Sequence, residues 1–152
     1  MIAGARYVHT NLIARDWRRL AAFYEQVFGC EPVPPGRDYE GPLLDLGTGI
    51  SGARLQGVHL RLPGYDNSGP TLEIFTYQPE ETGPVPRVNR PGFGHIAFSV
   101  NSVEEARAEV LAAGGKAIGE IVTLTPASGY TVTWCYVTDP EGNIIELQSW
   151  DT

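Results

Sequence analysis

Few folds accommodate the echo that runs through this chain. Gly69-Pro70-Thr71-Leu72-Glu73-Ile74 returns as Gly142-Asn143-Ile144-Ile145-Glu146-Leu147, with the two glutamates 73 positions apart. In both copies a glycine opens a short apolar strand, and a carboxylate stands inside it. A carboxylate amid Ile144, Ile145 and Leu147 is costly to bury without a partner. Strand propensity therefore does not account for the glutamates, and a repeated oddity of this kind points to internal duplication. The second copy follows Asp139-Pro140-Glu141-Gly142, a turn in which Pro fixes φ and Gly supplies a positive one.

The order of elements repeats as well. Arg6 to Leu12 reads as a strand, with Val8, Thr10 and Leu12 on one face and Tyr7, His9 and Asn11 on the other. Asp16 caps a helix whose apolar stripe is Trp17, Leu20, Ala21, Tyr24, Val27 and Phe28, and Gly29 ends it. Residues 30–41, rich in Pro and Gly, read as a loop. Leu43 to Leu46, Ala53 to Leu62 and Thr71 to Tyr77 read as strands. A Pro-rich connector without periodicity follows, at about 79–91. Phe93 to Val100 is then a strand, and Ser102 to Glu105 a capping box. Val103, Ala106, Val110 and Leu111 form a helical stripe stopped at Gly114-Gly115. Lys116 to Glu120, Thr131 to Thr138 and Asn143 to Gln148 are strands. Each half reads strand, helix, strand, strand, strand. This predicts an α+β fold of two tandem βαβββ modules, about 5–78 and 92–150, in one domain spanning 1–152.

Composition narrows the partners. A net charge of −7 and a pI near 4.9 exclude nucleic acid and anionic membrane as main partners, because both need a basic footprint. No apolar run is long enough for a transmembrane helix, and the N-terminus does not read as a signal peptide. Two cysteines, Cys30 and Cys135, make no disulfide framework. The expectation is a cytoplasmic protein with reduced thiols and Cys135 packed in a core.

His9 and His95 correspond as the glutamates do, each on the first strand of its module. His95 lies opposite the apolar set Ile96, Phe98 and Val100. Glu73 shares a face with Thr71, Phe75 and Tyr77, and Glu146 with Ile144, Gln148 and Trp150. If each half curls into one sheet, His9, Glu73, His95 and Glu146 converge on the concave side. Two imidazoles and two carboxylates suit a borderline divalent cation such as Ni, Co, Zn, Mn or Fe, and leave two positions of an octahedral ion open. Tyr7, Asn11, Phe75, Tyr77, Phe93, Ser99, Gln148 and Trp150 share faces with these four and are candidate pocket residues. His59 has no histidine counterpart, since Tyr136 falls near the equivalent place, and it reads as structural or surface.

Through residues 9–29, 92–100 and 136–148 the chain resembles the vicinal oxygen chelate superfamily of glyoxalases, bleomycin resistance proteins and extradiol dioxygenases. The resemblance implies two modules forming an open, cup-shaped mixed sheet around a metal held by His9, Glu73, His95 and Glu146. That ligand set is most similar to glyoxalase I, the lactoylglutathione lyase, with Ni, Co or Zn favoured and Mn or Fe as alternatives. Methylmalonyl-CoA epimerases are similar but typically carry Gln at the position of Glu73. Two positions depart from the glutathione-using enzymes. Ile13 stands where an Arg commonly grips the thiol cofactor's carboxylate, and Tyr77 where an Asn is common. Replacing a charged clamp by Ile removes a strong charge-assisted bond. Arg90 lies near another glutathione-contacting position.

The chemistry these residues imply is metal-dependent lyase, isomerase or epimerase action on a small carbonyl compound. A proton α to the carbonyl is removed while the ion stabilises the enediolate. Glu146 is the first choice of base and Glu73 the second. Two alternatives stay open: an Fe(II) or Mn extradiol-type dioxygenase, and a non-catalytic small-molecule binding or resistance protein. A homodimer is expected from the resemblance, with the site within one chain or shared between two.

Overall fold

The computed structural model describes residues 1–125 and 129–151. The chain divides into two compact units, Met1–Thr82 and Gly83–Thr152. Unit one contains β1 (His9–Ile13), α1 (Trp17–Phe28), β2 (Glu31–Glu40), α2 (Pro42–Thr48), β3 (Arg54–Arg61) and β4 (Thr71–Gln78). Unit two contains β5 (Ile96–Ser99), α3 (Val103–Ala112), β6 (Lys116–Leu124), β7 (Thr131–Thr138) and β8 (Ile144–Asp151). Each unit is one four-stranded mixed sheet, in the order β1-β4-β3-β2 and β5-β8-β7-β6. In each, the first strand runs parallel to the last, and the other pairings are antiparallel. This is the tandem βαβββ arrangement that the repeat predicts.

The register makes the duplication quantitative. Asn11 pairs with Glu73 and Ala97 with Glu146, which relates the first strands by 86 positions and the last by 73. The histidines His9 and His95, also 86 apart, are therefore structural equivalents.

Helices α1 and α3 form where their caps direct. The Asp16 side chain accepts from the backbone of Arg18 and Arg19, and Gly29 closes α1 in the left-handed conformation. The Ser102 hydroxyl accepts from Glu105 N–H at the start of α3. α1 packs on β3 and β4, and α3 on β6, β7 and β8. In unit one Leu20, Ala21, Phe23 and Tyr24 bury against Leu60, Leu72 and Ile74; in unit two Val103 and Val110 join Cys135, Val137, Ile145 and Leu147 in the core. Each large apolar side chain so buried contributes about 1.5–3 kcal/mol. Strand alternation then sends Glu73 and Glu146 to the face opposite the helix, and a one-residue register slip would bury both against it.

Two stretches differ from the sequence expectation. Residues 31–40 are the strand β2 rather than a loop. β2 lies at the sheet edge, where prolines cost no ladder bond, and its register shifts between Val33 and Arg37 around Pro34-Pro35-Gly36. Leu43 to Leu46 is helical rather than extended. Pro42 opens α2 at its first turn, Gly49 ends it, and the Asp45 carboxylate accepts from Gly52 and Ala53 N–H at 2.8 and 2.9 Å. Strand β5 is shorter than predicted. It starts at Ile96, so His95 sits just before it, and Phe93 is fully exposed outside it. β6 runs on to Leu124 through an irregularity between Ile118 and Val122.

Candidate functional site

In unit one the helix-free face gathers three polar side chains, His9, Asn11 and His59, on one carboxylate. Glu73, on the central strand β4, is buried, with its side chain 9% exposed. Its Oε2 lies 3.4 Å from His9 Nε2 and 3.4 Å from Asn11 Nδ2, an amide donor from the adjacent parallel strand. Its Oε1 lies 2.9 Å from His59 Nε2. His59 is the register partner of Glu73 across β3 and β4, so the sheet itself sets them side by side. The His9 and His59 rings meet edge-on at 6.3 Å between centroids, and Phe75 packs against His59 at 5.8 Å. Burial pushes the His59 imidazole below its ordinary pKa, partly opposed by the charge of Glu73. Its neutral form is thereby favoured, and Nε2–H donates to the carboxylate.

Unit two repeats the imidazole–carboxylate pair. His95 Nε2 lies 2.9 Å from Glu146 Oε2. The register partner of Glu146 is Tyr136, at the place His59 holds in unit one. Tyr136 packs on the His95 ring at 5.1 Å and on Trp134 at 5.0 Å. Burial, reinforced by the Glu146 charge, pushes the Tyr136 phenol above its usual range and keeps it protonated. Trp134 pairs with Gln148, whose Oε1 accepts from Trp150 Nε1 at 2.8 Å.

The structure thus brings His9 to Glu73 and His95 to Glu146, each pair within its own unit. Among the other candidates, Asn11 touches Glu73 and Phe75 touches His59. Tyr7 is exposed and hydrogen-bonds the Thr10 hydroxyl. Tyr77 is half-buried on β4, and Ser99 is exposed on β5. His59, Trp134 and Tyr136 were not singled out for the site by sequence. The signal that finds them is alternation combined with register: Val58 and Leu60 face the helix, so His59 must face Glu73, but only the pairing of β3 with β4 fixes which residue it meets.

Each half sets an imidazole and a carboxylate, donors that suit a borderline divalent ion, at ligand-to-ligand distance. Adjacent ligands around an ion with bonds of about 2.1 Å lie about 3.0 Å apart in an octahedron and about 3.4 Å in a tetrahedron. The imidazole-to-carboxylate separations are 2.9 and 3.4 Å. Both histidines keep access, with side chains 43% and 34% exposed. Among the described residues no group of three or more His, Cys, Asp or Glu side chains stands ready to hold a metal ion. What each unit presents is a pair. In unit one the third donor, His59, is engaged with the second oxygen of Glu73.

Comparison with known proteins agrees with this architecture. The glyoxalase/bleomycin resistance protein/dioxygenase superfamily model matches residues 6–147. The chain belongs to that superfamily. It is 27% identical over 148 residues to a probable lactoylglutathione lyase of Vibrio parahaemolyticus, covering 96% of this chain and 91% of that protein. Among solved structures, a glyoxalase family protein from Bacillus cereus superposes over 100% of both chains with a TM-score of 0.82 at 18% identity. A genomically encoded fosfomycin resistance protein from Listeria monocytogenes, solved with Mn(II) and sulfate, matches over 98% of this chain and 93% of its own, with a TM-score of 0.53 at 18% identity. No helix among the described residues is long and apolar enough to cross a membrane.

Proposed function

We propose that the protein is a metal-dependent lyase, isomerase or epimerase that moves a proton α to the carbonyl of a small substrate. One observation carries this reading: each unit sets one imidazole against one strand carboxylate, at 3.4 and 2.9 Å, on the face away from its helix. His9, Glu73, His95 and Glu146 are the candidate ligands for a divalent ion, Ni, Co or Zn in preference to Mn or Fe. The Mn(II) in the related Listeria protein is in keeping with a divalent ion. Such an ion supplies Lewis-acid stabilisation of negative charge on the carbonyl oxygen as the proton leaves.

The chain's own groups do the rest. Glu146, less buried than Glu73, takes the proton and returns it to the neighbouring carbon. Its pairing with His95 holds it in place until substrate arrives. Tyr136, its register partner, packs on Trp134 and sets an aromatic surface beside this carboxylate. Asn11 and Gln148 offer amide groups beside the two carboxylates for substrate oxygens. The 27% identity to a probable lactoylglutathione lyase supports the reaction class. Ile13 and Tyr77 speak against glutathione as the thiol partner. The same reading makes the protein a cytoplasmic homodimer.

Two measurements test the proposal together. Protein purified without chelators is assayed for bound metal, then reloaded with Ni, Co, Zn, Mn and anaerobic Fe(II), alongside His9→Ala and Glu146→Gln. Candidate 2-oxo compounds and their thiol adducts are then incubated in D2O and followed by NMR. The expected result is about one ion per ligand set, lost or weakened in both variants, and deuterium entering α to a carbonyl only with loaded wild type. Selective Fe(II) uptake with oxygen consumption assigns the dioxygenase instead. No ion after reloading makes the fold a plain binding protein.

A further inference from the structure

The two units differ at both register positions beside the carboxylate: Asn11 and His59 flank Glu73, Ala97 and Tyr136 flank Glu146. Opposite Glu146 in the register stands Tyr136; opposite Glu73 stands His59. Among the described residues, the polar partner of Glu146 is His95, through Oε2. Glu73 is held at both oxygens, Oε1 by His59 and Oε2 by His9 and Asn11. A carboxylate bonded through one oxygen can still turn about its last torsion. One bonded through both cannot turn without breaking a contact in a buried setting, where water does not replace the lost hydrogen bond.

Resting on the functional reading above, we propose that His59 is a positioning residue that pins Glu73, and that this asymmetry divides the labour between the two glutamates. With Oε1 taken by the His59 Nε2–H, Glu73 presents only Oε2 on the side of His9. It is the fixed anion of the site. Glu146 has no such lock, and is the carboxylate free to let go, accept a proton and return. His59 suits the lock because its ring is wedged between His9 and Phe75 and its strand pairing leaves it no other carboxylate to meet. A group hydrogen-bonded behind a metal ligand orients it, and removing such a group typically weakens metal binding about 10–100-fold.

The test separates this from the metal reading itself. Long-range 1H–15N spectra of ion-free wild type should display a protonated, slowly exchanging His59 Nε2, lost in Glu73→Ala. Mn(II) and Ni(II) affinities are then measured by calorimetry for wild type, His59→Leu and His59→Gln, each checked for folding by circular dichroism. The expected result is a roughly 10–100-fold weaker ion in His59→Leu. His59→Gln, whose amide reaches where Nε2 does, should recover to within about threefold of wild type. Leu and wild type binding alike would overturn the proposal. So would loss of stoichiometric binding in both variants, which makes His59 a ligand. If wild type takes up no ion, the functional reading falls, and the Nε2 signal alone decides whether His59 pins Glu73. Should His59→Leu not fold, the wild-type spectrum and His59→Gln carry the decision.

Discussion

At the scale of single residues, the fold tolerates little at its crowded positions. Gly57 pairs with Phe75 beside the His59–Glu73 pair. A Cβ built there would lie 2.0 Å from the Ile74 carbonyl oxygen and 2.4 Å from Phe75 Cδ1. The strand cannot give way without breaking the ladder, so Gly57→Ala should cost about 2 kcal/mol or more, read as a lower urea midpoint, and should move the Phe75 ring resonances. Cys30 makes a different prediction. It is buried just after α1, and burial, with Glu25 nearby, pushes its thiol from 9.0 up to about 12. The unfolded chain then loses this proton first. The thiol's contribution to stability is complete below pH 9 and falls as pH rises from there towards 12, by about 1.4 kcal/mol per unit. Urea unfolding of wild type and Cys30→Ala should run parallel at pH 7–8.5 and diverge above pH 9, with wild type losing more. Parallel curves to pH 10.5 would show that the thiol ionises in place.

At the scale of elements, the turn before β8 sets where Glu146 comes to lie. Asp139 is almost fully buried, and its carboxylate accepts from Glu141 N, Asn143 N and Asn143 Nδ2 at 2.8–3.0 Å. Gly142 supplies the positive φ, 95°, that closes the turn. Asp139→Ala strands two backbone N–H groups and should cost about 2–4 kcal/mol, against about 1 kcal/mol for Asp16→Ala at the exposed cap of α1. Thermal unfolding of both variants ranks them; an Asp139→Ala as mild as Asp16→Ala would mean that water replaces the carboxylate. This turn was fully legible in the sequence, as were both capped helices and the strands β3, β4, β7 and β8, because each carries a local chemical signal. β2 was not. Its three prolines and its glycine signal a loop, and only its place at a sheet edge makes them harmless. α2 was misread because Leu43, Leu44 and Leu46 look like a strand core, yet Leu43 and Leu46 are exposed on a short helix that Pro42 opens. Of the site, the His and Glu of each pair could be found from the repeat. His59 and Tyr136 could not, because a cross-strand partner depends on register, and register is set by how the loop from 62 to 70 and the turn at 139–142 align their strands.

At the scale of the whole molecule, the duplicated plan has a thermodynamic consequence. Both units spend a buried or half-buried carboxylate on the face away from the core, and the chain carries a net charge of −7. Such a protein keeps an electrostatic cost in its folded state that a dication, if bound there, would offset. The donors of each pair lie far apart in the sequence, 9 from 73 and 95 from 146, so the unfolded chain does not present them together. An ion that binds them should therefore prefer the folded state strongly. At a free concentration a hundred times its dissociation constant it should add about 2.7 kcal/mol, which for a chain of this length raises the melting temperature by roughly 5–10 °C. Chelation with EDTA should reverse the gain in full. Glu146→Gln should cut the gain while hardly changing the ion-free melting temperature, since that side chain lies off the core. Leu147→Ala, one residue on and facing α3, should do the opposite: about 2–5 kcal/mol lost without the ion, and the same increment when it is added. Differential scanning calorimetry of the three proteins with and without Ni(II) or Zn(II) separates the two faces of β8. A Leu147→Ala that lost the ion's increment, or a Glu146→Gln that kept it whole, would show that adjacent residues of this strand do not divide core from chemistry as the alternation requires.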